Sequence, residues 1–129
     1  MKYVLIILAL AGGYYYVSRH VKFDDSLQYV RQHKAAFWAP RANYYIALSC
    51  HLREDYPRSQ AAFTQLLTDY PAGPYAARGL VCLGEAADSN GDWDTAKQAF
   101  ARYVEEHPDG PDIGIVRKRL EMLRYHHGP

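Results

Sequence analysis

The chain has 129 residues, 49% of them hydrophobic and 22% charged, which is the size and composition of one compact globular domain and excludes a multidomain enzyme. Lys and Arg number 15 against 14 Asp and Glu, so the chain lacks both the basic excess of a DNA- or RNA-binding protein and the charge of a disordered one. Cys50 and Cys82 are too few for a disulfide-stapled fold and lack the CxxC spacing of zinc or dithiol sites.

Residues 1–22 form an apolar amino-terminal segment with basic flanks. No residue from Tyr3 to Ser18 is charged, whereas Lys2 precedes the run and Arg19 follows it. As a helix this run is roughly 24 Å long, which is shorter than the bilayer core of about 30 Å. Cleavage as a signal peptide after Ala11 would leave a leader shorter than the usual 15 or so residues. Two further interpretations stay open: a membrane anchor, and a helix buried against other protein.

The side chains that would serve the anchor or the assembly helix are of two kinds, apolar residues along the run and tyrosines near its end. A tyrosine ring suits a headgroup layer or a protein interface, because it packs through its face while its hydroxyl stays hydrated. The predicted residues are Tyr3, Leu5, Ile6, Leu8, Tyr14, Tyr15 and Tyr16.

The chain repeats itself with a period of 37 residues, and a period of this length indicates stacked units. A shift of one period superimposes residues of the same type: aromatic on aromatic, arginine on arginine, small on small and proline on proline. The superimposed pairs are Trp38 with Tyr75, Arg41 with Arg78, Tyr56 with Trp93, Ser59 with Ala96, Phe63 with Phe100, and Pro71 with Pro108. The pattern predicts helices at 39–52, 56–70, 75–89 and 92–107.

Each residue type has a mechanical role in such a unit. Small residues such as Ala47, Gly84 and Ala96 let two helices approach closely, and Pro108 ends the last helix of its unit. Asn90-Gly91 predicts the turn inside the second hairpin, and Asp92 is placed to cap the helix that follows.

These features resemble the tetratricopeptide repeat (TPR) family. The better unit carries the family's bulky, small, aromatic and proline positions at Leu80, Leu83, Gly84, Ala96, Phe100 and Pro108. The weaker, earlier unit has Asn43, Ile46, Ala47, Ser59, Phe63 and Pro71, with Asn in place of a bulky residue. The resemblance implies an all-α hairpin solenoid of two units. The sequence of these units is most similar to TPR modules of bacterial envelope proteins of the Tol-Pal and outer-membrane assembly type. The chain lacks the lipid-acceptor cysteine of the lipoproteins among them.

Two flanking segments complete the TPR-like domain, residues 23–129. Residues 23–34 align with a second helix and place Leu27 and Val30 on one face. Residues 111–125 place Ile113, Val116 and Leu120 at helical spacing, as in a terminal capping helix. Because repeat units bury their apolar faces only on neighbours, two units plus two halves favour completion by another chain, including self-association.

The resemblance implies a groove lined by the first helices of the units, which binds peptides or proteins. Its positions fall on Arg41, Tyr44, Leu48, His51, Arg78, Val81, Glu85 and Asp88. Tyr44 and Val81 cannot form the basic and amide clamp with which some family members hold a terminal carboxylate. The alternative role for each groove residue is a solvated surface side chain.

Catalytic and metal motifs are missing from the sequence, so we predict no enzyme, no cofactor and no metal. The stretch DSNGDWD fails as a calcium loop because Trp93 and Ala99 stand where Gly and Glu are required. His126-His127 lacks further ligands. We favour buried thiols over a disulfide for Cys50 and Cys82.

Two functions compete on this basis. The first is a non-enzymatic interaction scaffold, tethered through residues 1–22 as a single-pass protein of the bacterial cell envelope. The second is a structural subunit of an extracellular, pilus-like filament with the amino-terminal helices at its core. It would not be a standard type IV pilin, because Leu5 stands where an acidic residue is expected.

Overall fold

A computed structural model describes residues 2–20 and 23–128, apart from the side chains of residues 17–20, 23 and 24. The part of the chain so described is helical with short loops and contains no strand. Its helices are α1 (Lys2–His20), α2 (Phe23–Gln32), α3 (Ala39–Leu52), α4 (Tyr56–Asp69), α5 (Ala76–Ser89), α6 (Trp93–Glu106) and α7 (Ile113–His127).

The helix bounds reproduce the 37-residue period. The first helices of successive units begin at Ala39, Ala76 and Ile113, and the second helices end at Gln32, Asp69 and Glu106. The helices predicted at 39–52, 56–70, 75–89 and 92–107 are confirmed, with ends that agree to within one residue. The helix predicted at 23–34 ends at Gln32, and the one predicted at 111–125 runs from Ile113 to His127.

Both hairpin turns place one residue in the left-handed backbone region. Gly91 has φ 77°, and Glu54, one period earlier, has φ 60°. After the second turn the carboxylate of Asp92 accepts hydrogen bonds from the backbone N–H of Thr95 (3.3 Å) and from its hydroxyl (2.7 Å). The predicted turn and cap of the second hairpin are confirmed.

The helices pack in sequence, α3 on α4, α4 on α5, α5 on α6 and α6 on α7. Phe63 and Phe100 are completely buried between them, as the repeat pattern predicts. Gly84 allows α5 and α6 to approach closely, because a Cβ atom there would overlap the ring of Phe100. The small residues of the repeat thus set the spacing of the second hairpin.

The loop into α7 is closed over a buried tyrosine. The Tyr103 hydroxyl accepts a hydrogen bond from the backbone N–H of Asp112 (3.1 Å), and a Cβ atom at Gly110 would overlap that hydroxyl. Val116, Leu120 and Leu123 of α7 are buried against the preceding helix. Helix α7 therefore covers the end of the stack, as the sequence predicts for a cap.

The amino-terminal segment is helical in α1 but stays outside this packing. Its large apolar side chains between Tyr3 and Leu10 are 55–79% exposed. No helix within residues 2–20 and 23–128 combines the length and apolar character required to cross a membrane. The transmembrane helix expected from the sequence is therefore not supported, and whether residues 1–22 act as a domain separate from 23–129 stays a prediction.

Candidate functional site

The predicted groove residues come together where α3, α5 and α7 run side by side, which we call the α3–α5–α7 face. Polar side-chain contacts link α5 with both of its neighbours on this face: a histidine–carboxylate contact with α3 and two ion pairs with α7. It differs from the predicted groove in two ways: helix α7 contributes to it, and one predicted residue lies beneath it.

Glu85 is the central acid of this face. One carboxylate oxygen lies 3.5 Å from Nε2 of His51 on α3, and the other lies 3.3 Å from Nη1 of Arg119 on α7. The second ring nitrogen of His51, Nδ1, is buried without a hydrogen-bond partner. Glu85 therefore fixes two basic side chains from two helices with one carboxylate.

Arg78 makes a second link along the same face. Its Nη1 atom lies 3.6 Å from the Asp112 carboxylate at the start of α7. On the other side the rings of Tyr44 and Tyr75 stack with their centroids 4.8 Å apart. Burial raises the pKa of Tyr44, and the neighbouring guanidinium of Arg78 partly offsets that rise. The Tyr44 hydroxyl is therefore protonated at neutral pH and available as a hydrogen-bond donor.

The remaining predicted groove residues differ in accessibility. Arg41 is exposed and lies over the ring of Tyr45, 5.8 Å from its centroid. Leu48 is half-buried and Asp88 is exposed. Val81 is only 3% exposed and belongs to the hydrophobic core, so its side chain offers no surface to a partner.

The sequence analysis missed three residues of this face, namely Tyr75, Asp112 and Arg119. Tyr75 and Asp112 directly precede α5 and α7 and stand 37 residues apart, so the period itself marks them as equivalent positions. Arg119 lies on the helix that was interpreted only as a cap. A 37-residue shift of the groove positions predicted on α5 gives Ile115, Lys118, Met122 and Tyr125, so the period does not point to Arg119.

The two cysteines lie beneath the face as buried free thiols, which is the alternative favoured from the sequence. Burial raises the pKa of Cys82 to about 11. Its thiol is therefore protonated at neutral pH and is not a nucleophile.

The other chemical motifs have structural roles. Asp92 accepts a further hydrogen bond from Nε2 of Gln60 on α4 (2.6 Å), so it joins the two hairpins in addition to capping α6. The ring of His127 stacks on Trp93 with centroids 3.7 Å apart. Within residues 2–20 and 23–128, no group of three or more His, Cys, Asp or Glu side chains is placed to hold a metal ion.

The predicted anchor or assembly residues all lie on α1. Tyr3, Leu5, Ile6, Leu8, Tyr14, Tyr15 and Tyr16 are exposed. Their burial in lipid or against other protein stays a prediction.

One family model, described as tetratricopeptide repeat, matches residues 83–110. The matched stretch runs from the middle of α5 through α6 to the loop closed over Tyr103. A search of curated proteins finds no similar sequence. The repeat match and the all-helical hairpin architecture together support a TPR-like protein, and repeats of this family generally mediate protein–protein interactions.

Proposed function

We propose that this chain is a non-enzymatic scaffold whose α3–α5–α7 face binds a segment of a partner protein. A TPR-like hairpin stack suggests such a role, and the proposal goes further by assigning the face and its residues. Tyr44, Arg78 and Arg119 are the expected contact residues, with Arg41 at the edge.

The observation that carries the proposal is the state of the two arginines on this face. The side chains of Arg78 and Arg119 are 53% and 45% exposed, yet each is held by a less exposed carboxylate, Asp112 or Glu85. An arginine fixed in this way loses little side-chain entropy on binding, and its planar donor group makes directional hydrogen bonds. Arg and Tyr are also the side chains that most often dominate binding energy at protein interfaces.

The proposal keeps the envelope location and the attachment role of α1 from the sequence analysis. The exposed apolar side chains of α1 are the reason for assigning it to attachment. The pilus-like filament remains the alternative, and assembly of the full-length chain into filaments visible by electron microscopy would favour it.

A peptide-display selection against the purified full-length chain tests the binding face. Peptides that emerge are synthesised, and their dissociation constants are measured for the original chain and for Arg78→Ala and Arg119→Ala. We expect each substitution to weaken binding roughly tenfold, which corresponds to about 1.4 kcal/mol.

Arg117→Ala is the matched control, because Arg117 is exposed on the same helix. Two residues earlier than Arg119, it lies about 200° around the helix axis, on nearly the opposite side. Its affinity should match that of the original chain. Equal affinities for Arg117→Ala and Arg119→Ala, with both variants folded by circular dichroism, would place the site elsewhere. Failure to select any peptide would count against the proposed function itself.

A further inference from the structure

A second recess lies between α2 and α3, and none of its lining residues belongs to the predicted groove. It is a cavity of about 470 Å³. We call it the α2–α3 groove, and its lining residues are Asp25, Ser26, Tyr29, Val30, Trp38, Ala42 and Ile46. Neither the repeat match nor the proposed binding face accounts for it.

The period explains what this groove is. A shift of 37 residues converts its lining into residues of α4, α5 and the loop between them: Ala62, Phe63, Leu66, Leu67, Tyr75, Gly79 and Leu83. All of these except the half-buried Tyr75 are buried, in a region where α3 packs against α4 and α5. Tyr29 is 56% exposed, whereas its counterparts Leu66 and Tyr103 are completely buried. The α2–α3 groove therefore corresponds to the position that a first helix would occupy one period before α3.

The helix that fits this position lies one period before α3. The bounds of α3, Ala39–Leu52, shift to residues 2–15, which fall inside α1. Helix α1 carries exposed apolar side chains and takes no part in the helix pairs that form the stack. Register and apolar character thus point to the same segment.

Side-chain volumes support the match. In the second hairpin a large residue on the second helix, Phe100, requires Gly84 on the first. One period before Ala47 and Phe63 stand Leu10 and Ser26, so the large residue is now on the first helix and the small one on the second. A docked helix carrying Leu10 would therefore place its large side chain opposite the small side chain of Ser26.

The chain cannot readily seat its own α1 in this groove. The hairpin turns use a left-handed residue at Glu54 and Gly91, and the equivalent position is Val17. A β-branched residue strongly disfavours positive φ, and α1 indeed continues as a helix through this position to His20. Folding back would require breaking α1 at a residue that resists the turn.

From these observations we infer that the α2–α3 groove binds α1 of a second copy of this chain. Each copy donates one helix and offers one groove, so the exchange has the form of a domain swap whose smallest closed assembly is a dimer. The docked helix adds a first helix beside α3 and completes the half-unit that contains α2. This self-association is independent of partner binding at the α3–α5–α7 face. A docked α1 is covered by the second copy, so in this assembly it is not the segment that attaches the chain to a membrane.

Cross-linking between copies tests the docking directly. Two full-length variants, Leu10→Cys and Ser26→Cys, are mixed in detergent-free buffer and oxidised mildly, and the linked peptides are identified by mass spectrometry. Leu10→Cys mixed with Gln28→Cys is the control, because Gln28 is exposed on α2 and does not line the groove. Docking should give roughly tenfold more heterodimer with Ser26→Cys than with Gln28→Cys, because it raises the local thiol concentration.

Equal yields in the two mixtures would overturn the inference. The double variant Leu10→Cys/Ser26→Cys separates the two routes: a disulfide-linked dimer supports exchange between copies, whereas a linked monomer would show that α1 folds onto its own chain. A chain that stays monomeric and unlinked would also overturn the inference.

Val17→Gly provides a second test with a matched control. Glycine at position 17 permits the left-handed turn, so we expect this variant to seat its own α1 and to shift from dimer to monomer in light scattering. Ser18→Gly places the same residue one position out of register and should stay dimeric. An identical mass distribution for the two variants would contradict the assigned register.

Discussion

The hairpin α5–α6 carries the expected residue types at its buried first-helix position, its turn and its helix cap. The hairpin α3–α4 has the same shape but departs from those residue types at all three positions. The later hairpin has Leu80, Gly91 and a capping Asp92, where the earlier has Asn43, Glu54 and Asp55. Asp55 makes no capping hydrogen bond and pairs with Arg58 instead (3.4 Å). The shape therefore survives local misfits because packing between helices fixes it, and the misfits should cost stability. Substitutions at Gly84, Asn43, Glu54 and Asp92, each with a control, test this comparison.

The largest effect is expected at Gly84. Because a Cβ atom there overlaps the buried ring of Phe100, Gly84→Val should lower the free energy of unfolding by about 2–3 kcal/mol in urea titrations. Gly114→Val is the control, since Gly114 lies in α7 with open space around it, and that change should be close to neutral. Similar losses at both positions would mean that helix spacing in this hairpin does not depend on Gly84.

The next effect tests the core of the earlier hairpin. Asn43 is completely buried, and neither its amide nitrogen nor its amide oxygen has a hydrogen-bond partner. Asn43→Leu restores the side chain found at Leu80 and should raise the free energy of unfolding by about 1–2 kcal/mol. Asn43→Ala removes the amide but leaves a cavity, so its gain should be smaller. A loss of stability in Asn43→Leu would show that the amide is satisfied in solution.

The third effect tests the two hairpin turns by exchanging their left-handed residues, Glu54 and Gly91. Glu54→Gly relieves a left-handed backbone and should stabilise the chain by about 1 kcal/mol, whereas Gly91→Glu should destabilise it by a similar amount. Arg53→Gly is the control, because Arg53 has an ordinary φ of −86°. Thermal unfolding separates the outcomes, and a gain from Arg53→Gly equal to that from Glu54→Gly would contradict the strain assigned to Glu54.

The smallest effect concerns the cap and its pH dependence. Hydrogen bonds from Thr95 and Gln60 hold the pKa of Asp92 below its usual value. Its charge therefore stabilises the fold above the unfolded-state pKa of about 3.9, and this contribution is lost as pH falls through the lower folded-state pKa. Asp92→Asn should cost about 0.5 kcal/mol at neutral pH and flatten the acid side of the stability profile.

Asp55→Asn is the comparison for that profile, because Asp55 makes no cap hydrogen bond. We expect its unfolding free energy to follow the original chain from pH 7 to pH 3 more closely than that of Asp92→Asn. The reverse order would mean that the two caps have been assigned the wrong way round.

Sequence reasoning located much of the fold because its signals are local. The 37-residue shift, the turn at Asn90-Gly91 and the prolines fix where helices begin and end, and the structure agrees to within one residue for α3 to α6. The candidate site was harder to predict. Which of Val81 and Arg119 reaches the surface depends on how α7 lies across α5, and no residue near either position signals that contact.

What the sequence alone determined is the repeat itself: its period, its helices and its small and aromatic packing positions, because these follow from backbone preferences and side-chain volume. Only the tertiary structure decided which side chains share a surface. It buried Val81, brought Glu85 between His51 and Arg119, left α1 exposed and left a groove open between α2 and α3. Exposure and ion pairing depend on neighbours that are distant in sequence, and so the residue pattern of one helix cannot specify them.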